Sequence, residues 1–337
     1  MNILEILKDE KHSLAQCMRV SSAFNAISAP VLYQTIVLPH GKMRPYGTMK
    51  GRRLPARLSS TKAANLELIK HVFVDQHPSN MKGFANKKYA VDTLRLPISF
   101  LQYARECYKC VNLFSARPTC QCIFTRMYRP QKLVVMDARM NSSVVNIPGF
   151  ETIRTLVFVI ASSCSPHTSS QQTSATKLAG IERIVQIFWT SDPSTACGVQ
   201  LADQEGQDEE IEWFEPIDRY TSHFTSGLRI SIRNYPQLKE IIVVNGGQLH
   251  TYVLDLKARS SRREREIEFE DKIFRSLTKL GTDKATHRPG HITFTYKDRV
   301  IEIKFVSIWE YLEDYDWSGE FTEDEIKPWL DDTCDRD

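Results

Sequence analysis

Four cysteines lie within sixteen residues and could, as thiolates, hold a metal ion. Cys107 and Cys110 are separated by two residues, and Cys120 and Cys122 by one. Structural zinc sites need four ligands in a tetrahedron, and their paired cysteines usually have two to four intervening residues. The second pair is too close for that spacing. We therefore expect buried or half-buried thiols here, without a structural zinc.

The familiar catalytic motifs are not found in the sequence. His287 and His291 are four residues apart, but Pro289 and Gly290 between them argue against a shared helical face. There is no glycine-rich phosphate loop, no Walker lysine and no GxSxG turn. An active site could still assemble from distant residues, so an enzyme on an α/β scaffold stays an alternative. We predict no catalytic residue, no metal and no cofactor.

Composition bounds the class of protein. The 337 residues are 25% charged and 42% hydrophobic, as in soluble globular proteins. No stretch approaches the roughly 20 apolar residues of a membrane helix. Asp9 and Glu10 follow closely on a short apolar run, a pattern that argues against a signal peptide. We expect a cytoplasmic or nuclear protein with reduced cysteines and no membrane contact.

A net charge of +3 hides a strong asymmetry along the chain. Residues 309–337 hold twelve acids against Lys327 and Arg336, so the preceding residues carry a net +13. The same segment contains the rings of Trp309, Tyr311, Tyr315, Trp317, Phe321 and Trp329. Disordered segments contain few aromatic residues. We predict that this acidic aromatic tail docks onto the body and covers part of its basic surface.

One segment near the N-terminus is strongly basic. Residues 42–62 hold seven Lys or Arg and no acid, and Tyr46 is their one aromatic residue. Grooves that bind single-stranded nucleic acid usually combine cations with several aromatic side chains. We therefore interpret the segment as a solvated loop. A nucleic-acid-binding module is the alternative, and marked salt dependence of binding would favour it.

Short β-rich runs recur along the middle of the chain. They start 18 to 28 residues apart and comprise residues 72–74, 93–96, 111–113, 133–135, 156–158 and 184–187. Sequence compatible with helices lies between most of them. A recurring strand and helix is typical of a leucine-rich-repeat-like solenoid. The consensus Leu and Asn positions are not present, so we predict an irregular solenoid, with a doubly wound α/β domain as the alternative.

The remaining segments are assigned from composition and periodicity. Residues 161–176 and 203–215 are interpreted as a flexible loop and an acidic insertion. A strand is predicted to follow the turn at Pro236, and a long amphipathic helix spans residues 261–280. Alternation then predicts a hairpin of residues 292–296 and 300–305 that caps the solenoid.

The N-terminal stretch has the clearest helical pattern. Apolar residues recur at steps of three and four, which predicts one stripe of a helix that runs to about Ser28: Leu14, Cys17, Val20, Phe24 and Ile27. Pro30 is expected to end this helix or to start the next turn. A second apolar patch follows at residues 31–33, and Thr35–Leu38 is predicted to form the first strand.

This stretch resembles the second half of the F-box of many fungal F-box proteins. The matching residues are Leu14, Cys17, Val20, Ser21, Phe24, Pro30, Leu32, Tyr33, Ile36 and Leu38. The usual opening Leu-Pro and most of the first F-box helix are not found before Asp9. The resemblance implies that a Skp-family adaptor binds Leu14, Cys17, Val20, Phe24, Pro30, Leu32 and Tyr33.

Together these observations predict an α/β chain in three segments. Residues 1–38 form a short helical F-box-like segment, residues 39–308 an irregular leucine-rich-repeat-like α/β solenoid, and residues 309–337 the tail. The resemblance implies a non-enzymatic substrate receptor that brings an unidentified protein target to a ubiquitin ligase built from the adaptor and a cullin scaffold.

Overall fold

The computed structural model describes nine stretches of the chain: residues 11–38, 66–74, 89–97, 128–138, 151–161, 180–189, 218–248, 262–278 and 285–331. Their helices are α1 (Lys11–Val20), α2 (Ser22–Tyr33), α3 (Asp218–Asn234), α4 (Arg262–Thr278), α5 (Ile308–Asp314) and α6 (Glu323–Asp331), with a 3-10 turn at Gly246–Gln248. Their strands are β1 (Thr35–Leu38), β2 (His71–Val74), β3 (Tyr89–Pro97), β4 (Tyr128–Ala138), β5 (Thr155–Ala161), β6 (Arg183–Trp189), β7 (Glu240–Val244), β8 (Ala285–Arg288), β9 (His291–Tyr296) and β10 (Arg299–Val306).

The ten strands form a mixed sheet in the order β1-β2-β3-β4-β5-β6-β7-β10-β9-β8. The pairs β1–β2, β2–β3, β5–β6, β6–β7 and β7–β10 are parallel. The pairs β9–β10 and β8–β9 are antiparallel. The predicted α/β class is therefore confirmed. The chain divides into two compact units, residues 1–133 with 147–152 and residues 134–146 with 153–337.

In the first unit, helices α1 and α2 pack against each other and lead into β1. Strand β2 is buried along its whole length, which suits its residues Val72, Phe73 and Val74. Strand β3 alternates at its start, with Tyr89 and Val91 buried and Asp92 exposed. The guanidinium of Arg95 lies 5.0 Å from the ring centre of Phe73, a cation–π contact between β3 and β2.

In the second unit, helices cover both faces of the strands. On one face Phe188 of β6 meets Phe269 of α4 edge-on, with ring centroids 5.6 Å apart. On the other face Trp189 stacks on Phe321 at 4.6 Å and lies 5.6 Å from Trp329 of α6. Helix α3 adds fully buried side chains to the first face: Phe224, Leu228 and Ile232. Because adjacent strand residues point to opposite faces, this unit has three layers, helix, sheet and helix.

A hairpin extends the sheet beyond β7, as predicted. Strands β9 and β10 are joined by Lys297 and Asp298, whose φ values are 47° and 64°. Both residues are in the left-handed region, as a two-residue type I′ turn requires. Arg299 then donates hydrogen bonds to the carbonyl oxygens of Tyr235 and Ile232, at 2.8 and 2.9 Å. The hairpin is thereby tied to the C-terminal end of α3, whose last carbonyls have no helical partner.

Most predicted strands and the long helix are confirmed. The runs at 72–74, 93–96, 133–135, 156–158 and 184–187 all lie within strands, and the helix predicted at 261–280 is α4. The predicted run 111–113 and the segments 42–62, 162–176 and 203–215 lie outside the described residues. The sequence did not predict α3 or β8.

Candidate functional site

The two N-terminal helices meet at Ser21, and the single helix predicted there is wrong. Ser21 is extended, with φ −158° and ψ 164°. Its hydroxyl accepts a hydrogen bond from the N–H of Phe24 at 3.2 Å, and its carbonyl accepts one from Asn25 at 2.9 Å. A serine that caps a helix in this way starts a new helix, because it satisfies an N–H that has no helical partner. The predicted stripe therefore spans two helices.

Three large apolar side chains at this junction face solvent. Val20 at the end of α1 is 72% exposed, and Phe24 and Ile27 on α2 are 45% and 51% exposed. Phe24 and Ile27 are three residues apart on one helix and are therefore neighbours on its surface. We call Val20, Phe24 and Ile27 the N-terminal apolar surface. Ile27 lies on the stripe that the sequence predicts but was not among the predicted contact residues.

Leu14 does not belong to that surface. Its side chain is completely buried, so it packs inside the chain and cannot meet an adaptor without unfolding of this region. Ser28 and Ala29 are also buried. Small residues at these positions allow close packing of α2. Cys17 is half-buried.

The C-terminal half of α2 differs from the prediction at Pro30. Pro30 is exposed and lies inside the helix, which continues to Tyr33. The expectation that Pro30 ends the helix is therefore wrong. Leu32 and Tyr33 are half-buried. Of the seven residues that the resemblance nominates, Val20, Phe24 and Pro30 are exposed in the structure.

At the other end of the chain, α5 and α6 cover one face of β5, β6, β7 and β10. Tyr311, Phe321 and Trp329 are buried in a cluster with strand residues such as Val185 and Ile242. The indole N–H of Trp309 donates to the carbonyl of Trp329 at 2.9 Å. The predicted docking of the tail is therefore confirmed for its described part. The contact seen there is apolar, with rings packed on strand side chains, and coverage of a basic surface stays a prediction.

One acid of the tail is buried within this cluster. The hydroxyl of Tyr311 lies 3.0 and 2.8 Å from the two carboxylate oxygens of Glu320, which is 1% exposed. Burial and the adjacent Glu320 charge raise the pKa of Tyr311 well above its usual range. The phenol therefore stays protonated and can donate to the carboxylate.

A band of charge borders the covered face. Glu240 of β7 bonds Arg183 of β6 at 2.5 Å and Lys304 of β10 at 2.7 Å. Burial raises the pKa of Glu240, but the hydrogen bonds from Lys304 and Arg183 outweigh it, and the net pKa is lowered. The hydrogen bond that Lys304 donates to Glu240 raises the pKa of Lys304. These cations are neutralised by a neighbour, so they do not form an open basic patch.

A histidine and two acids meet on the opposite face. His287 Nε2 lies 2.7 Å from Glu270 Oε1, and His287 Nδ1 lies 3.8 Å from Asp271. Phe274 stacks on the imidazole at 4.9 Å, and the N–H of Gly290 donates to Glu270 at 3.2 Å. Each of these contacts joins β8 or its turn to α4, so the group holds the hairpin in place.

Among the described residues, no group of three His, Cys, Asp or Glu side chains is placed to hold a metal ion. Cys107, Cys110, Cys120 and Cys122 lie outside these residues, so the zinc question stays a prediction. Within the described stretches, none of the helices has the length and apolar character needed to span a bilayer.

Comparison with known proteins provides no family for this chain. No protein-family model, no curated protein and no solved structure matches it.

Proposed function

We propose that this chain is a non-enzymatic interaction protein, an F-box-like substrate receptor. In this proposal the N-terminal apolar surface binds a Skp-family adaptor, which connects the chain to a cullin scaffold. An unidentified protein target is held by the remainder of the chain. The assembly works in the cytoplasm or nucleus, and nucleic acid is not expected to be a partner.

The observation that carries the proposal is the exposure of Val20, Phe24 and Ile27. Burial of a large apolar side chain by a partner contributes about 1.5–3 kcal/mol of favourable free energy to binding. Val20, Phe24 and Ile27 could each make such a contribution. Phe24 and Ile27 are neighbours on one helix, and an exposed apolar patch usually marks a binding surface when it is contiguous. They fall within the stretch that resembles the F-box, and Phe24 and Val20 are two of its matching residues.

The strand order supports the solenoid part of the proposal. From β1 to β7 each strand lies beside the strand that precedes it in the chain. Stacked repeats have this order, because each repeat contacts only its neighbours. A doubly wound domain instead reverses its strand order at a switch point. We therefore retain an irregular leucine-rich-repeat-like solenoid, closed at one edge by the hairpin.

The position of the tail restricts where the target could bind. Helices α5 and α6 bury the strand residues of one face, and helices α3 and α4 bury those of the other. A target cannot reach these strands while the helices are in place. In the proposed receptor the target therefore binds outside the strand area that the four helices cover.

The proposal is tested by capture of a purified Skp-family adaptor. We expect binding at micromolar concentration. The double variant Phe24→Asp with Ile27→Asp should weaken binding at least about tenfold, since a tenfold loss needs only about 1.4 kcal/mol and charged groups on the surface must be desolvated on binding. The measurement is the adaptor Kd by calorimetry.

Val300→Asp is the matched control, because Val300 is an equally exposed apolar residue on β10. It should leave the Kd unchanged. Circular dichroism and melting temperature should show that all three proteins are folded. No capture by the unaltered chain would refute the receptor proposal, and retained binding by the double variant would refute the surface.

A further inference from the structure

Beyond the adaptor surface, the sheet ends in two edge strands of different chemistry. Strand β8 carries His287 and Arg288, and its four residues are mostly exposed. Charged side chains on an edge strand oppose pairing with another chain. Strand β1, with the sequence Thr-Ile-Val-Leu, has no charge and is rich in β-branched residues. Val37 is 47% exposed. Among the described residues, no strand pairs with the outer edge of β1.

The pairing with β2 decides which backbone groups of β1 point outward. The carbonyl of Gln34 accepts a hydrogen bond from the N–H of His71 at 2.9 Å, and Ile36 is aligned with Val72. Along a paired strand the hydrogen-bonding direction alternates from one residue to the next. Ile36 therefore faces β2, whereas Thr35 and Val37 direct their N–H and C=O groups to the outer edge.

We propose that the outer edge of β1 pairs with β1 of a second copy of this chain, in an antiparallel two-fold dimer. The outward groups allow one short register. Thr35 of each copy pairs with Val37 of the other, which gives four backbone hydrogen bonds, and the two Ile36 residues lie opposite each other at the two-fold axis.

The chemistry of the strand favours a second copy as the occupant. A two-fold contact places the same surface on both sides, so it must be complementary to itself. Residues 34–38 contain no charge, so no like charges face each other across the two paired strands. It also matches Thr35 with Val37, and β-branched cross-strand pairs of this kind are favourable. Four hydrogen bonds form a small interface, so the dimer dissociates on dilution.

The test is sedimentation velocity of the full chain between about 1 and about 200 µM, the range in which a weak dimer becomes populated. We expect the mass to rise from monomer to dimer with concentration. Val37→Lys should weaken dimerisation at least about tenfold, because an edge lysine opposes strand pairing. Val37→Pro should do the same and keep the fold, since proline is tolerated where the N–H points away from the sheet.

Two controls separate this interface from the adaptor surface. Val300→Lys, a change at an exposed valine of β10, should leave the dimer unchanged. Phe24→Asp with Ile27→Asp should also dimerise normally while it loses the adaptor, so failure of one proposal does not imply failure of the other. A chain that stays monomeric overturns the inference. So does a dimer that survives both Val37 variants, or an edge that pairs only with an extended segment of another protein.

Discussion

The two ends of this chain each carry a pair of short helices with apolar residues, and they use them differently. The N-terminal pair leaves Val20, Phe24 and Ile27 in solvent, whereas the C-terminal pair buries Tyr311 and Trp329 against strands. A helical pattern alone shows that a stripe exists. Whether the stripe is core or interface depends on which surface of the fold lies against it.

The largest difference between the two ends should appear in stability. Trp329 is fully buried and packs against Trp189 and Trp309. Trp329→Ala should lower the free energy of unfolding by about 3–5 kcal/mol, because it removes buried area and leaves a cavity. Phe24→Ala, at a half-exposed site, should change it by no more than about 0.5 kcal/mol. Urea unfolding measures both, and similar losses would show that the N-terminal surface is also core.

A smaller effect is expected at the buried hydroxyl of the C-terminal pair. Tyr311→Phe removes a donor to Glu320 and leaves that carboxylate buried with fewer hydrogen bonds. The expected loss is about 1–3 kcal/mol, the cost of an unsatisfied buried polar group. Tyr315→Phe is the control, because Tyr315 is half-buried and its stacking on Tyr311 at 5.3 Å needs no hydroxyl. If both variants lose the same free energy of unfolding, the Tyr311 hydroxyl does not contribute more to stability than the Tyr315 hydroxyl.

The smallest effect concerns pH at the border of the covered face. The pKa of Glu240 is lowered from its ordinary value of 4.5, so its contribution to stability is present above that value and is lost as pH falls through the folded pKa. The pKa of Lys304 is raised from 10.5, so its contribution is lost only as pH rises through that raised value. Between these limits the pair contributes constantly.

Glu240→Gln should therefore reduce the fall in melting temperature between neutral pH and about pH 3. Glu302→Gln serves as its control, since the Glu302 side chain is 47% exposed and lies 3.9 Å from His291. An unchanged acid dependence in Glu240→Gln would show that the hydrogen bonds from Arg183 and Lys304 do not contribute to stability.

Much of the fold could be predicted because its signals are local. Strand β5 is a nearly continuous apolar run, and α4 has a clear amphipathic period. Helix α3 was missed although Phe224, Leu228 and Ile232 recur every four residues, because Thr225, Ser226 and Gly227 between them are typical of loops. Strand β8 has four mostly exposed residues, and its only reason to be a strand is its pairing with β9.

In the candidate site, too, some features could be predicted from local sequence and others could not. The apolar stripe could be predicted from spacing, and Ser21 is a residue type that commonly caps helices, so the break at this position was also within reach. The burial of Leu14 was not, because a periodic stripe does not show which of its residues the fold covers. The continuation of α2 through Pro30 likewise required the structure, since the usual cost of an internal proline argues against it.

The position of Trp329 also has a consequence for synthesis. Chains fold from the N-terminus while they are being made, but the rings that cover β5, β6, β7 and β10 follow all ten strands in the sequence and leave the ribosome after them. Until then Trp189 and the valines of these strands face water or a chaperone. We expect that a message truncated before the codon for Trp329 yields a product that is recognised as misfolded and degraded, even though all ten strands have been translated.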